Sequence, residues 1–528
     1  MKLFRILFGL SVFAAIFFLS TEESYGASLR LAMPASDAGM MDPHFASAFH
    51  ERAVADMVFN GLLRYKPGNV SHIEPDLAED MPDVEIYNGY QAWIFRLKKG
   101  VMFHAGPATE SYELTADDVV YSLEKSADPE RCAYSGEYAD MTFERVDDYT
   151  VRIVLAKPLS KNLFLPKMTD YAGGFIVSKK AVESMGDKKF KRHPVGTGPF
   201  TYGNYKPGKT LRLSAHKKYF RGKPQLDFVD VLYIRDIKDR IRGLKEGSLE
   251  VIYGTLQSEQ IREIKNVNVD TFGVGQVAVI HFNTKVPPLN DVRVRKAIAY
   301  GLDRKKFLSL FNENLTEAAY SQVPVQHLPG GLSQKEVQIA SLDYPANHQK
   351  ALKLLSKAGY PQGFVLDVIS SEIDVHRKTY ECIKDQLERI GIRIKIKVVS
   401  HSTMHKLIRQ NKSPLVVYIS WRPNADIFLT RFFHSESIIK SGLKPDTNFS
   451  HYDQIDRLIE AARLEMKTDK QVNLWKHAQL KILEDMASYP LYYLNLIYTR
   501  KNFVHYGHEL VSSMALYPQI TEKTKLLK

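Results

Sequence analysis

The chain has 528 residues, 44% of them hydrophobic and 25% charged, with a formal net charge of +12 and two cysteines. That balance excludes a disordered chain and a small disulfide-stapled scaffold, and the length exceeds one compact core, so two or three lobes are expected. The basic excess does not mark a nucleic-acid binder: lysines and arginines are interleaved with acids, and the densest run, Lys188, Lys189, Lys191 and Arg192, reads as a solvated loop.

The N-terminus speaks to compartment. Lys2 and Arg5 precede an apolar run from Leu7 to Leu19, broken only by Gly9 and Ser11. Ser24 and Gly26 then supply small residues before Ala27. This is the pattern of a secretory signal over residues 1–26, cut between Gly26 and Ala27, and it predicts a periplasmic mature chain. The run is shorter than the ~20 residues of a membrane-spanning helix. No cysteine lies near the cut, so a lipid-modified N-terminus is not expected, and no later stretch is long and apolar enough to span a bilayer. Cys132 and Cys382 are expected to be buried, unpaired thiols.

Strands and helices alternate from there on. Leu29, Leu31 and Met33 alternate with Arg30 and Ala32, which predicts an opening strand. Residues 85–98 carry an Asn88-Gly89 turn followed by an aromatic strand from Trp93 to Leu97, a hairpin signal. Thr115 and Asp117-Asp118 precede the helical run Val119, Val120 and Leu123, so the paired acids read as helix-capping chemistry rather than a catalytic pair. Residues 147–155 read as a further strand after a turn. Later, Ala351, Leu354, Leu355 and Ala358 have helical spacing closed by Gly359 and Pro361. A strand over 364–369 follows, then a helical stripe of Val375, Thr379, Ile383, Leu387 and Ile390 closed by Gly391, then a strand in which Ile392, Ile394, Ile396 and Val398 alternate with basic residues. That strand–helix–strand succession predicts an α/β lobe. An apolar strand over 415–421 and two helices, through Ile459 and through Ile482, complete it.

Reaction chemistry is missing from this pattern. There is no G-x-S-x-G elbow, no GxxxxGK[ST] phosphate loop and no HEXXH zinc motif. Gly273 and Gly275 lack the third glycine of a dinucleotide fingerprint. His401 and His405 sit four apart and could share one helix face; without a third ligand nearby in sequence they read as surface histidines before a metal site. No cofactor, no metal and no enzymatic activity is expected; the lean is toward binding.

Several blocks, in order, carry a resemblance. They are Asp42-Pro43-His44, Phe59-Asn-Gly-Leu-Leu-Arg-Tyr65, Pro75-Asp-Leu-Ala-Glu-Asp80, Phe95-Arg-Leu-Lys-Lys-Gly-Val-Met-Phe-His104 and Thr115-Ala-Asp-Asp-Val-Val-Tyr-Ser-Leu-Glu124. Pro194-Val-Gly-Thr-Gly-Pro-Phe200, Asp291-Val-Arg-Val-Arg-Lys-Ala-Ile298, Ala358-Gly-Tyr-Pro361 and Tyr489-Pro-Leu-Tyr-Tyr493 continue them. Over residues 28–500 the chain resembles the family 5 extracellular solute-binding proteins of bacterial ABC importers. The resemblance implies a two-lobed α/β periplasmic-binding-protein fold of class II, with an extra domain on the first lobe and hinge closure over a ligand. It places the first lobe in 27–72, 193–275 and 497–528, the extra domain in 73–192, and the other lobe in 276–496. It implies a small peptide-like ligand, the permease subunits of an importer as partners, and a monomer. The same fold also serves non-peptide solutes such as opines, sugars or metal chelates, or a sensor partner; a secreted hydrolase is the remote alternative.

The family's binding loop maps onto Ile419-Ser-Trp-Arg-Pro-Asn-Ala-Asp-Ile-Phe-Leu429. The acidic position that holds a peptide's α-ammonium in the family falls on Asn424, with Asp426 two residues on and Arg422 inserted before it. Either Asp426 takes the ammonium, or the ligand is met through an acidic group by Arg422, which can grip it bidentately. The resemblance also points to Trp421, to the backbone of Gly39 and Met40 after the first strand, and to Tyr493 or its neighbour Tyr492.

Overall fold

The computed structural model describes residues 26–46, 48–170, 173–253, 264–311 and 315–527. The expected signal segment lies outside these residues, save Gly26. A nine-stranded sheet forms the spine. Its order is Phe200–Lys206, Thr210–Ala215, Phe228–Tyr233, Ser28–Met33, Val251–Ile252, Ser488–Lys501, Val267–Phe282 and Leu415–Ser420, with Thr316–Ala318 paired to Ser488–Lys501. The opening strand is parallel to both its neighbours; Leu29, Leu31 and Met33 share one face and are fully buried in the first core, while Ala32 is buried on the other face and Arg30 is half-buried.

Two strands are unusually long. Val267–Phe282 and Ser488–Lys501 pair antiparallel from Val267↔Lys501 to His281↔Ser488, with a shift of register between Gly273 and Gln276. They thread two separate hydrophobic centres. The first gathers buried residues from Leu29 to Phe272 and from Tyr498 to Ile520. The second gathers residues from Ala278 to Tyr492. A third, with Val277, Trp421 and Tyr493, also takes Tyr65, Leu163 and Met514 and so packs across the passage.

Local chemistry explains the elements. Asn88 and Gly89 both take positive φ (50° and 83°), the geometry that a two-residue hairpin turn needs between Asp83–Tyr87 and Tyr90–Arg96. Those strands and Met141–Asp147 with Thr150–Leu155 make a four-stranded antiparallel sheet, and the helix Ala116–Ala127 stands in contact with the latter pair. That helix opens on a capping box: the backbone N–H of Thr115 donates to Asp118 Oδ2 at 3.2 Å. The segment 147–155 differs from expectation. Asp147 Oδ1 accepts from the Tyr149 N–H at 2.8 Å and closes a turn, so the strand starts only at Thr150. The predicted strand–helix–strand unit is present as Phe364–Ser371, Asp374–Leu387 and Ile392–Val399, with the two strands parallel. Cys132 and Cys382 are both buried and unpaired.

Candidate functional site

The strand register builds the site. Across the sheet, Glu317 stands beside Tyr493, Tyr493 beside Val277, and Val277 beside Ser420. This row lies where the two long strands leave one hydrophobic centre for the other. Leu415–Ser420 ends there, and the chain continues into Trp421, Arg422 and the helix Ala425–Phe433.

Trp421 is 9% exposed and packs among Val277, Ala425, Phe428 and Tyr493. Arg422 Nη1 donates to the carbonyl of Trp421 at 2.7 Å, and its guanidinium lies 5.0 Å from the centre of the Phe432 ring. Asn424 is the N-cap of the following helix: its Oδ1 accepts from the Ile427 N–H at 2.9 Å. A polar group that caps a helix answers a local backbone need, so its presence at the family's acidic position has a structural cause. Asp426 is 8% exposed, and its carboxylate takes Arg463 Nε at 3.0 and 3.2 Å. Burial raises its pKa, and Arg463 works against that rise. A ligand ammonium at Asp426 would therefore compete with a guanidinium already in place.

The two tyrosines separate cleanly because side chains alternate along a strand. Tyr492 points into the second hydrophobic centre, its hydroxyl 2.8 Å from Thr379 Oγ1. Tyr493 faces the other way, joins Trp421, and donates its hydroxyl to the Ser321 carbonyl at 3.3 Å. Gly39 and Met40 lie between Ala38 and Met41, which belong to the first hydrophobic centre. Gly39 takes φ 74°, and a Cβ there would meet Glu51 Oε1 at 2.4 Å. The Met40 N–H donates to that same oxygen at 2.8 Å. Thus the structure gathers Trp421 and Tyr493 in one cluster with Arg422 next in the chain, ties Asn424 and Asp426 into the fold beside it, and leaves Gly39 and Met40 at the first hydrophobic centre.

One cluster was not visible in the sequence. His401 and His405 do share a helix face, with Nε2 atoms 3.1 Å apart, and the ring of His376 lies 5.4 Å from that of His401. His376 lies in the first turn of Asp374–Leu387, the helix after Phe364–Ser371, and His401 opens the helix after Ile392–Val399; only the parallel pairing of those strands brings the rings together. Burial lowers His376 to about 4 and also lowers His405, so both are neutral at neutral pH. Among the described residues no three His, Cys, Asp or Glu side chains are arranged to hold a metal ion by themselves.

A two-lobed α/β architecture threaded by two long strands, with an aromatic and arginine loop at the passage, defines a solute-binding receptor fold of class II. The sequence profile of the bacterial extracellular solute-binding proteins, family 5, matches residues 72–439. The chain belongs to that family, whose members are binding proteins of ABC importers. It is 34% identical to MoaA of A. tumefaciens R10, solved in complex with mannopinic acid, with a TM-score of 0.75 over 95% of this chain and 100% of that one. It is also 28% identical to the heme-binding protein A of Haemophilus influenzae, over 81% of this chain and 80% of that protein. With the di/tripeptide-binding protein 2 of Pseudomonas aeruginosa the identity is 27%, over 88% and 89%. No helix among the described residues is long and apolar enough to cross a membrane.

Proposed function

We propose that this chain is the exported capture component of an ABC importer, and that it encloses a small peptide-like solute bearing a carboxylate. The single observation that carries the acidic group is the loop after Ser420. There Arg422 follows Trp421 and lies over the ring of Phe432, while Asn424 caps a helix and Asp426 is paired with Arg463. Mannopinic acid and short peptides, the ligands named for two of the relatives, share an amino-acid carboxylate. A guanidinium matches that group in shape as well as charge.

In this reading the lobes are 27–72 with 193–275 and 497–528, and 276–496, with 73–192 as the extra domain. The signal over 1–26 is removed on export, the mature monomer starts at Ala27 without a lipid, and the permease receives the closed form. Capture without turnover is supported by the lack of catalytic motifs in the sequence.

The test is to recover the copurifying solute by native mass spectrometry and titrate it calorimetrically. Arg422→Ala is expected to weaken binding by about 10–100-fold, the equivalent of losing one charge-assisted contact. Asp426→Asn should leave affinity within about threefold, a change below 1 kcal/mol. The opposite pattern would move the anchor to Asp426 and identify the ligand through an ammonium.

A further inference from the structure

We infer that residues 159–163 form a clasp, in which Ser160 and Asn162 grip Gln471 and hold the two lobes together before a solute arrives. This rests on the reading of the chain as a hinged solute receptor. It adds a control on opening that lies away from the loop at Trp421 and is supplied by the chain itself. A solute shifts the open–closed balance only by its own contacts; a clasp sets where that balance starts.

One end of the clasp is rooted in the four-stranded sheet. Gln91, in Tyr90–Arg96, accepts the Leu159 N–H at 2.8 Å and donates its side-chain amide to the Leu159 carbonyl at 3.1 Å. Phe164 closes the short helix Lys161–Phe164, stacks on Trp93 with ring centres 4.3 Å apart, and is buried in the first hydrophobic centre. The segment is thereby fixed to that sheet at both its ends.

The other side is the helix Thr468–Glu484. Gln471 Oε1 accepts from Ser160 Oγ at 2.9 Å and from Asn162 Nδ2 at 3.1 Å, while Gln471 Nε2 donates to the Ala462 carbonyl at 2.7 Å. Ser160 and Gln471 are fully buried and Asn162 is half-buried. Leu163 is buried in the third hydrophobic centre, with Trp421, Ala462 and Trp475, although its neighbour Phe164 belongs to the first. The seam between the two centres therefore runs through this short helix. Further on, Lys167 pairs with Glu137 and faces Asp426 of the candidate loop, where its charge joins that of Arg463 in offsetting the burial of the carboxylate.

The chemistry suits a contact that is made and broken. Hydrogen bonds between neutral side chains are exchanged for bonds to water when the lobes part, so their net contribution is modest. An acceptor buried without a partner is penalised, and here that penalty falls only on the closed form, because opening returns Gln471 to water. The clasp thus favours closure without the permanence of a purely apolar seal. Among the described residues neither Ser160 nor Asn162 makes another side-chain hydrogen bond, and Ser160 Oγ does not cap the helix that follows it. Both side chains can be removed without touching another contact of this kind.

The experiment uses the full mature protein, freed of solute by unfolding and refolding, with nitroxide labels at Ile86→Cys and Leu443→Cys. Ile86 lies on the four-stranded sheet and Leu443 in the loop after Ser435–Ser437; they are 75% and 86% exposed, whereas Cys132 and Cys382 are buried. Double electron–electron resonance reads the distance between the labels. With the clasp intact, one short distance should dominate. Ser160→Ala with Asn162→Ala strands Gln471 Oε1 in the closed form and should raise the ratio of open to closed protein by roughly 10–100-fold, with an unchanged circular dichroism spectrum. Adding Gln471→Leu removes the stranded acceptor, and the Ala462 carbonyl keeps the Glu465 N–H at 3.3 Å, so this triple variant should recover most of the closed form. Equal distances with and without Ser160 and Asn162 overturn the clasp. A longer distance that Gln471→Leu does not reverse also overturns it, since the effect then lies outside this contact. Failure of the receptor reading has a different signature: no solute copurifies with the protein, while the double variant still lengthens the label distance.

Discussion

Single residues show how burial decides protonation in this protein. Asp170 accepts the Tyr65 N–H at 3.3 Å, and burial, with Asp76 nearby, raises its pKa to about 7. Asp56 is also raised, by burial and then by Asp170. A carboxyl with a raised folded pKa binds its proton more tightly in the native state than in the unfolded chain. The native state is therefore favoured most at low pH, and this contribution is lost as pH climbs from about 4 to about 7. Asp170→Asn keeps an acceptor for Tyr65 without a charge to bury. It is expected to flatten the fall in stability across that window and to gain on the order of 2 kcal/mol at pH 8. Urea melts of both proteins at pH 4, 6 and 8 check this; parallel curves would place the titration elsewhere. None of this is legible in the sequence, since Asp56, Asp76 and Asp170 meet only through the fold.

At the scale of elements, periodicity and capping were legible and destinations were not. The hairpin at Asn88-Gly89, the capped helix at Thr115 and the alternating strand from Ile392 are local events, governed by φ, hydrogen bonds to near neighbours and which face is buried. The binding loop shows the boundary. Asn424 departs in type from the family's acidic position, and its Oδ1 serves the Ile427 N–H and starts the helix Ala425–Phe433. Asn424→Ala should cost about 1 kcal/mol of stability, the usual loss of a side-chain cap, measured by thermal unfolding. Solute affinity should hold if capping is the whole of its role; a large loss of affinity with little change in melting would return Asn424 to the site. The strand carrying Tyr492 and Tyr493 shows the same boundary. Both residues suit a strand, and only its register shows that Tyr492 fills a core while Tyr493 joins Trp421.

For the whole molecule, the two long strands matter most. They pass between hydrophobic centres as a paired ribbon, with a register shift between Gly273 and Gln276. A shifted pair bends more easily than a regular ladder. If the lobes close by hinge motion over a ligand that touches both, binding must compact and stabilise the protein together. At about 100 times its dissociation constant the solute should add ~2.7 kcal/mol to stability. Scattering and thermal unfolding on the same sample would show both changes. Stabilisation without compaction would mean that the solute sits on one lobe only.

The sequence by itself determined the family, the α/β class and the positions of most elements. These depend on hydrophobic period, turn residues and ordered motif blocks, and such information is local in the chain. It also pointed to the loop at Trp421, through the resemblance. Tertiary structure alone decided what each polar group in that loop does. Asp426 is bound to Arg463 and Asn424 to a helix end, while His376 reaches His401 across two parallel strands. The physical reason is that charge pairing and imidazole contacts depend on distance in space, and residues far apart in the chain carry no periodic signal of their meeting.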